Sequence, residues 1–125
     1  MTHITEIYLP KVESLNKTYA GKHWSSRKRY TDKMRGVIKV LLLEQGGPPF
    51  CVKWYSVNLQ SNARTDIDNR IMAIKYLNDV LEKDLGWVKN DGPKVFREMS
   101  VEQVDQMNKD EFKATITFYQ DGGDR

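Results

Sequence analysis

The sequence predicts a single α+β domain: a mixed β-sheet of four or five strands packed by two main helices, at about 26–45 and 69–83. Three observations carry that prediction. Short segments toward both ends alternate apolar and polar residues with period two. Two longer internal runs repeat their apolar residues at helical spacing. Gly and Pro pairs punctuate the joins between them.

In order, Thr2 to Leu9 alternates as a strand and Pro10 ends it. Lys11 to Trp24 is an irregular segment that mixes Lys17, Tyr19, Lys22, His23 and Trp24, cations among aromatic rings. Stacking on unpaired bases would use Tyr19 or Trp24, and covering the edge of the core would use the same rings, so both readings stand. Ser25 or Ser26 can cap a helix running to Gln45, with Tyr30, Met34, Val37, Ile38 and Leu41 as its apolar stripe and Gly46-Gly47 as its stop. Val40 to Leu43 is apolar all round, which suits either deep burial or a subunit interface. Phe50 to Leu59 reads as a central strand, with Cys51, Tyr55, Val57 and Leu59 on one face and Phe50, Val52 and Trp54 on the other. The helix at 69–83 presents Ala73, Ile74, Leu77, Val80 and Leu81 to the sheet, and Gly86 ends it. Trp87-Val88 reads as a strand start. Lys94 to Val101 and Glu111 to Tyr119 read as a hairpin, the second strand with Phe112, Ala114, Ile116 and Phe118 inward. Residues 1–119 are one expected domain and 120–125 a disordered tail.

Composition narrows the class. A 39% hydrophobic share with three Trp and six Tyr excludes a disordered chain. No apolar run approaches the roughly 18 residues of a membrane span. The first ten residues include His3, Glu6 and Pro10, unlike a signal peptide, so a cytoplasmic protein is expected. Cys51 is the single cysteine, which excludes an internal disulfide and a thiolate zinc site, and its apolar surroundings predict burial. Residues 17–39 hold eight Lys or Arg against one acid, Asp32, in a chain whose net charge is only +3. Such polarisation is the footprint of phosphate binding, or else a solvated helix face. Lys17, Lys22, Arg27, Lys28, Arg29 and Lys33 are the candidate DNA contacts.

The chemistry concentrates between Arg64 and Asp91. Asp66 and Asp68 are two residues apart, so an extended segment points both the same way. At about 100° per residue, Asp68, Lys75 and Asp79 share one outward face of the helix. Asn90-Asp91-Gly92-Pro93 is turn chemistry that could return a further carboxylate toward the helix start. Clustered carboxylates repel unless a hard dication relieves them, which suits Mg²⁺ or Mn²⁺ and metal-assisted phosphodiester cleavage. The same residues have plain structural uses: Asp68 as a helix cap, Asp66 beside the positive helix end, Asp91 in an ordinary turn.

The stretch Thr65-Asp66-Ile67-Asp68-Asn69, Lys75 four residues before Asp79, Gly86-Trp87 and Asn90-Asp91 resembles the RusA-type Holliday junction resolvases. Their pattern is Arg-x-Asp-x-Asp-Asn, a helix with Lys-x-x-x-Asp, and an Asp-Asp pair after a Gly-containing turn. Leu9-Pro10, Ser14-Leu15-Asn16 and the basic helix also fall where that family has them. The resemblance implies a small homodimer that cuts four-way DNA junctions with Mg²⁺, through carboxylates matching Asp66, Asp68 and Asp91 with help from Lys75, and with no organic cofactor or membrane. Two departures stand out. The helix is about one turn longer before Lys75, which keeps its face. Asn90 replaces the first Asp of the pair, a neutral and weaker Mg²⁺ ligand. A non-catalytic DNA-binding member with a weakened metal site is the alternative. A more distant one is a structural protein whose acidic and basic helices pair only with each other.

Overall fold

The computed structural model describes residues 1–9, 24–62, 67–108 and 111–120, leaving aside the side chains of 24–26 and 67–69. Asp66, Lys17, Lys22, Tyr19, His23 and the tail at 121–125 lie outside the described residues, as do the side chains of Asp68, Trp24, Ser25 and Ser26.

The elements follow as β1 (Thr2–Leu9), α1 (Trp24–Gln45), β2 (Trp54–Ser61), α2 (Ile67–Asp79), a π-helical turn (Val80–Asp84), β3 (Phe96–Gln103) and β4 (Phe112–Tyr119). They form one mixed four-stranded sheet in the order β1-β4-β2-β3, with two main helices, a small α+β domain as predicted. β4 is antiparallel to both β1 and β2, so β1 and β2 run the same way, and β3 joins β2 in parallel. Both helices pack on one face of this sheet. That face supplies Ile7 and Leu9, Tyr55, Val57 and Leu59, and Phe112, Ala114, Ile116 and Phe118, all buried. The strict alternation of β4 is that of a strand with one face covered and one wet. On the uncovered face Trp54 is buried locally, by Tyr119 stacked on it at 3.7 Å between centroids and by the Arg97 guanidinium 5.2 Å over its ring.

The expected hairpin of the last two strands does not form, because β2 lies between β3 and β4. Their connection is long enough to step across the end of β2, and β2 pins it there. Ser61 O accepts from Val104 N at 2.8 Å, and Asn62 Nδ2 donates to Met107 O at 2.8 Å. Trp87-Val88 starts no strand either. Gly86 adopts φ +64, and the Trp87 and Val88 amides both turn back onto Leu81 O. Cys51 is exposed rather than buried. The β2 ladder begins only at Trp54, so Cys51 falls in an irregular approach where strand alternation does not apply.

Of the expected α1 stripe, Met34 and Ile38 are buried and Tyr30 and Leu41 pack half-buried against the core, whereas Val37 stands outward and Leu42 is buried in addition. α2 buries Ala73, Ile74 and Leu77, and the π turn buries Val80 and Leu81, all as predicted. The helix itself changes hydrogen-bonding after Asp79, with Leu85 N reaching back five residues to Val80 O at 2.9 Å. Arg35 clamps this turn to α1: its Nη2 donates to Asp84 Oδ1 at 2.7 Å and its Nε to Asp84 Oδ2 at 3.1 Å. That hydrogen bond, partly offset by burial, raises the Arg35 pKa further.

Candidate functional site

The two helices lie side by side and run the same way. Tyr30 meets Tyr76 at 6.3 Å between ring centroids, and Arg35 meets Asp84 further along both. The basic start of α1 therefore lies beside the middle of α2, which carries Lys75. Each helix follows the carboxyl end of a parallel strand, α1 after β1 and α2 after β2, so both N-termini sit at that end of the sheet.

Lys75 is exposed on the outward side of α2, opposite Ala73 and Leu77, where the helical spacing put it. Asp79, one turn on, is half-buried and stands 3.9 Å from Lys83 Nζ, a contact too long and too wet to hold either group firmly. On α1, Lys28, Arg29 and Lys33 are exposed and Arg27 is half-buried. Lys28 Nζ lies 2.9 Å from Asp32 in an exposed one-turn pair, which phosphate can displace cheaply. Arg35 is turned away from this set by Asp84. That pairing spans 49 residues and has no local signal in the sequence.

Asp91 is exposed in the turn after α2, and Asn90 explains the turn. The Asn90 Oδ1 accepts from Gly92 N at 2.8 Å, and Gly92 O accepts from Val95 N and Phe96 N. A Cβ at Gly92 would come 3.0 Å from that Asn90 oxygen, so a larger residue there would make the Asn90 side chain shift by a few tenths of an ångström. The side chain standing where the resolvase pattern has an aspartate is thus occupied with the backbone.

The turn does not come back to the head of α2. Val95 O accepts from Tyr55 N at 2.7 Å, which places Asp91 near the start of β2. The Tyr55 hydroxyl donates to Asn78 Oδ1 at 2.8 Å, so the tail of α2 lies over the same residues. Ile67 is at the other end of the helix, about 18 Å away at 1.5 Å per residue. Burial first, then the nearby Asp91, Glu82 and Asp79, raises the pKa of Tyr55 well above its usual value. Asp91 and Asp79 thus act together on one group at the helix tail.

Among the described residues, no three His, Cys, Asp or Glu side chains gather as a metal-holding group. Asp66 and the Asp68 side chain are not among them, so this bears on the surroundings of Asp91 alone. A shallow groove of about 500 Å³ on the uncovered sheet face, lined by Ser56, Asn58, Arg97 and Thr115, includes none of the predicted site residues. No described helix is long and apolar enough to cross a membrane. No protein-family model and no curated protein matches this chain.

Proposed function

We propose that the protein is a Mg²⁺-dependent, structure-selective endodeoxyribonuclease acting on branched DNA of the four-way-junction class. The reading is supported most by the co-directional pairing of α1 and α2. It sets exposed Lys28 and Arg29 beside the helix that carries exposed Lys75 and opens directly after Asp66. Two helix N-termini at the carboxyl ends of β1 and β2 add their positive dipole ends to that region, which favours a polyanion.

Asp66 and Asp68 form the carboxylate pair, a donor set that suits Mg²⁺, with Mn²⁺ as substitute. When bound, the ion supplies an activated water and neutralises charge on the phosphodiester. Lys75 would balance charge on the same phosphate or orient the water. Lys28, Arg29 and Lys33 would hold backbone phosphates without reading bases, which fits selection by branch geometry. Asp91 lies a helix length away in its own chain, so sharing one ion with Asp66 and Asp68 would require a second copy. A junction with two equivalent strands suits such a two-fold pair.

The position of Asp91 and the engaged Asn90 oxygen also favour a second reading, a DNA-binding protein of this fold without cleavage. Incubating a labelled four-way junction with and without Mg²⁺ separates the two. The nuclease reading requires Mg²⁺-dependent nicks in the junction and few in a matched linear duplex. A salt-sensitive mobility shift with no nick with or without Mg²⁺ supports the binding protein. No shift at all removes DNA from the account.

A further inference from the structure

β3 is an edge strand: in the order β1-β4-β2-β3 it pairs with β2 on one side and with no described strand on the other. Its side chains follow the faces of β2 in register. Met99 and Val101 stand beside Val57 and Leu59 on the helix side, and Glu98, Ser100 and Glu102 stand beside Ser56, Asn58 and Gln60 on the uncovered side. Asn58 Nδ2 ties the uncovered side together, donating to Ser100 Oγ at 2.6 Å and to Glu102 Oε1 at 2.8 Å. The backbone groups alternate with the same period. Val104 N donates to Ser61 O at 2.8 Å, so by parity Glu98, Ser100 and Glu102 turn their amides and carbonyls toward β2. Those of Met99, Val101 and Gln103 turn outward, to the free edge.

Two features set this edge apart from that of β1. On the helix side the core stays open along β3, where Met99 is 48% exposed and Phe96 and Val101 are only half-buried. β1 buries Thr5, Ile7 and Leu9 on that side, so no apolar surface is left to cover. On the uncovered side β3 is acidic: Glu98 and Glu102 are exposed, and exposed Asp105 follows just beyond the strand. The cation of the strand, Arg97, is drawn aside, its guanidinium 5.2 Å over the Trp54 ring and its Nε donating to Lys94 O at 2.9 Å. Edges that must stay unpaired are commonly blunted by Lys or Pro, and Phe96–Gln103 contains neither.

We infer that the free edge of β3 takes up an extended segment of another protein, one that alternates apolar residues with Lys or Arg. The added strand pairs with the outward amides and carbonyls of Met99, Val101 and Gln103. Neighbouring strands share faces, so its apolar side chains lie beside Met99 and Val101 and close the open margin of the core, while its cations fall on the side of Glu98 and Glu102. Alternation is required, because two like residues in succession would put a cation on Met99 or an apolar group on Glu98. The same carboxylates repel a phosphate backbone, which assigns this edge to a protein segment rather than to nucleic acid.

The test adds a capped octapeptide of alternating lysine and valine to the full chain and follows backbone amide exchange. In the free protein the amides of Met99, Val101 and Gln103 should exchange faster than those of Glu98, Ser100 and Glu102, and the peptide should slow the first three by about tenfold or more. A peptide of the same composition with its lysines and valines in two blocks, or the alternating peptide with N-methylated amides, should bind at least about tenfold more weakly. Met99→Pro removes an outward donor and spares the ladder to β2, so with an unchanged circular dichroism spectrum it should weaken binding by a similar factor. Glu98→Gln combined with Glu102→Gln should weaken it about threefold and flatten its salt dependence. The inference is overturned if the peptide leaves the three outward amides unprotected, if protection falls on β1 instead, or if the block-ordered peptide binds as well as the alternating one. It is also overturned if these amides become protected without peptide as protein concentration rises, since a second copy then occupies the edge.

Discussion

α1 and α2 cover the same face of the same sheet, yet their outward sides differ. Among its described side chains, α2 packs Ala73 and Leu77 at zero exposure and exposes the charged Lys75. α1 buries Ile38 and Leu42 as completely but shows three apolar side chains in its second half and a basic set in its first. An outward face that only needs solubility resembles that of α2. The two-part outward face of α1, basic in its first half and apolar in its second, is more than packing requires.

The largest way to break this comparison is in stability. Leu77→Ala should cost about 3 kcal/mol, since the surroundings of a fully buried side chain relax only partly into the space it leaves. Val40→Ala, on the outward side of α1, should stay within about 0.5 kcal/mol in dilute protein. Urea unfolding of both variants measures the contrast. Comparable losses would mean that the outer face of α1 is part of the monomer core.

Next in size is Tyr55→Phe, expected to cost about 1–2 kcal/mol because Asn78 Oδ1 loses its donor in a buried place. It has a signature in pH. Burial and the carboxylates hold the folded Tyr55 pKa above its unfolded value of 10.0, so the folded chain keeps a proton that the unfolded chain releases. That contribution is complete below pH 10 and falls as pH rises beyond it. Tyr55→Phe should flatten the loss of stability between pH 9 and pH 11, read from urea midpoints. An unchanged alkaline slope would mean that Tyr55 ionises as easily folded as unfolded.

The smallest structural effect belongs to the basic half of α1. Replacing Arg27, Lys28 and Arg29 together with Ala should alter stability little, yet lower the salt dependence of junction binding by about 0.9 in log–log slope for every phosphate that is no longer neutralised. An unaltered slope would take the first half of α1 out of the interface and leave its charge as a solvated face.

The legibility of these features in the sequence follows their range. β1, β4 and both helices were readable because one face of each is buried, so Ile7, Leu9, Phe112 and Ala114 or Ile38, Ala73 and Leu77 recur with the period of the element. β3 carries no such signal. In Phe96–Gln103 no residue is buried, so only partners distant in sequence decide that it pairs with β2 and not β4. Asn62 holding the connection at Met107 is the non-local contact that a hairpin reading lacks. The outward placement of Lys75 came from periodicity alone. The position of Asp91 did not, because it depends on the backbone bond between Tyr55 N and Val95 O, forty residues apart. Turn chemistry at Asn90 and Gly92 was visible, whereas the direction in which that turn carries Asp91 was not.

The central claim, that the chain cuts branched DNA through a carboxylate-held metal, is tested most directly by Asp68→Asn in a paired binding and cleavage assay. Asp68 is the second residue of α2, where Asn loses only the favourable charge at the positive helix end, so folding should change by no more than about 1 kcal/mol. It removes one anionic ligand, and with it much of the affinity for the ion and its activated water. Junction cleavage in Mg²⁺ should therefore fall by orders of magnitude. Junction affinity measured without metal should hold or rise, because a carboxylate repels phosphate and a carboxamide does not. A purified Asp68→Asn protein that nicks the four-way junction at close to the parent rate would contradict the account and leave Asp68 as an ordinary acid in the first turn of α2.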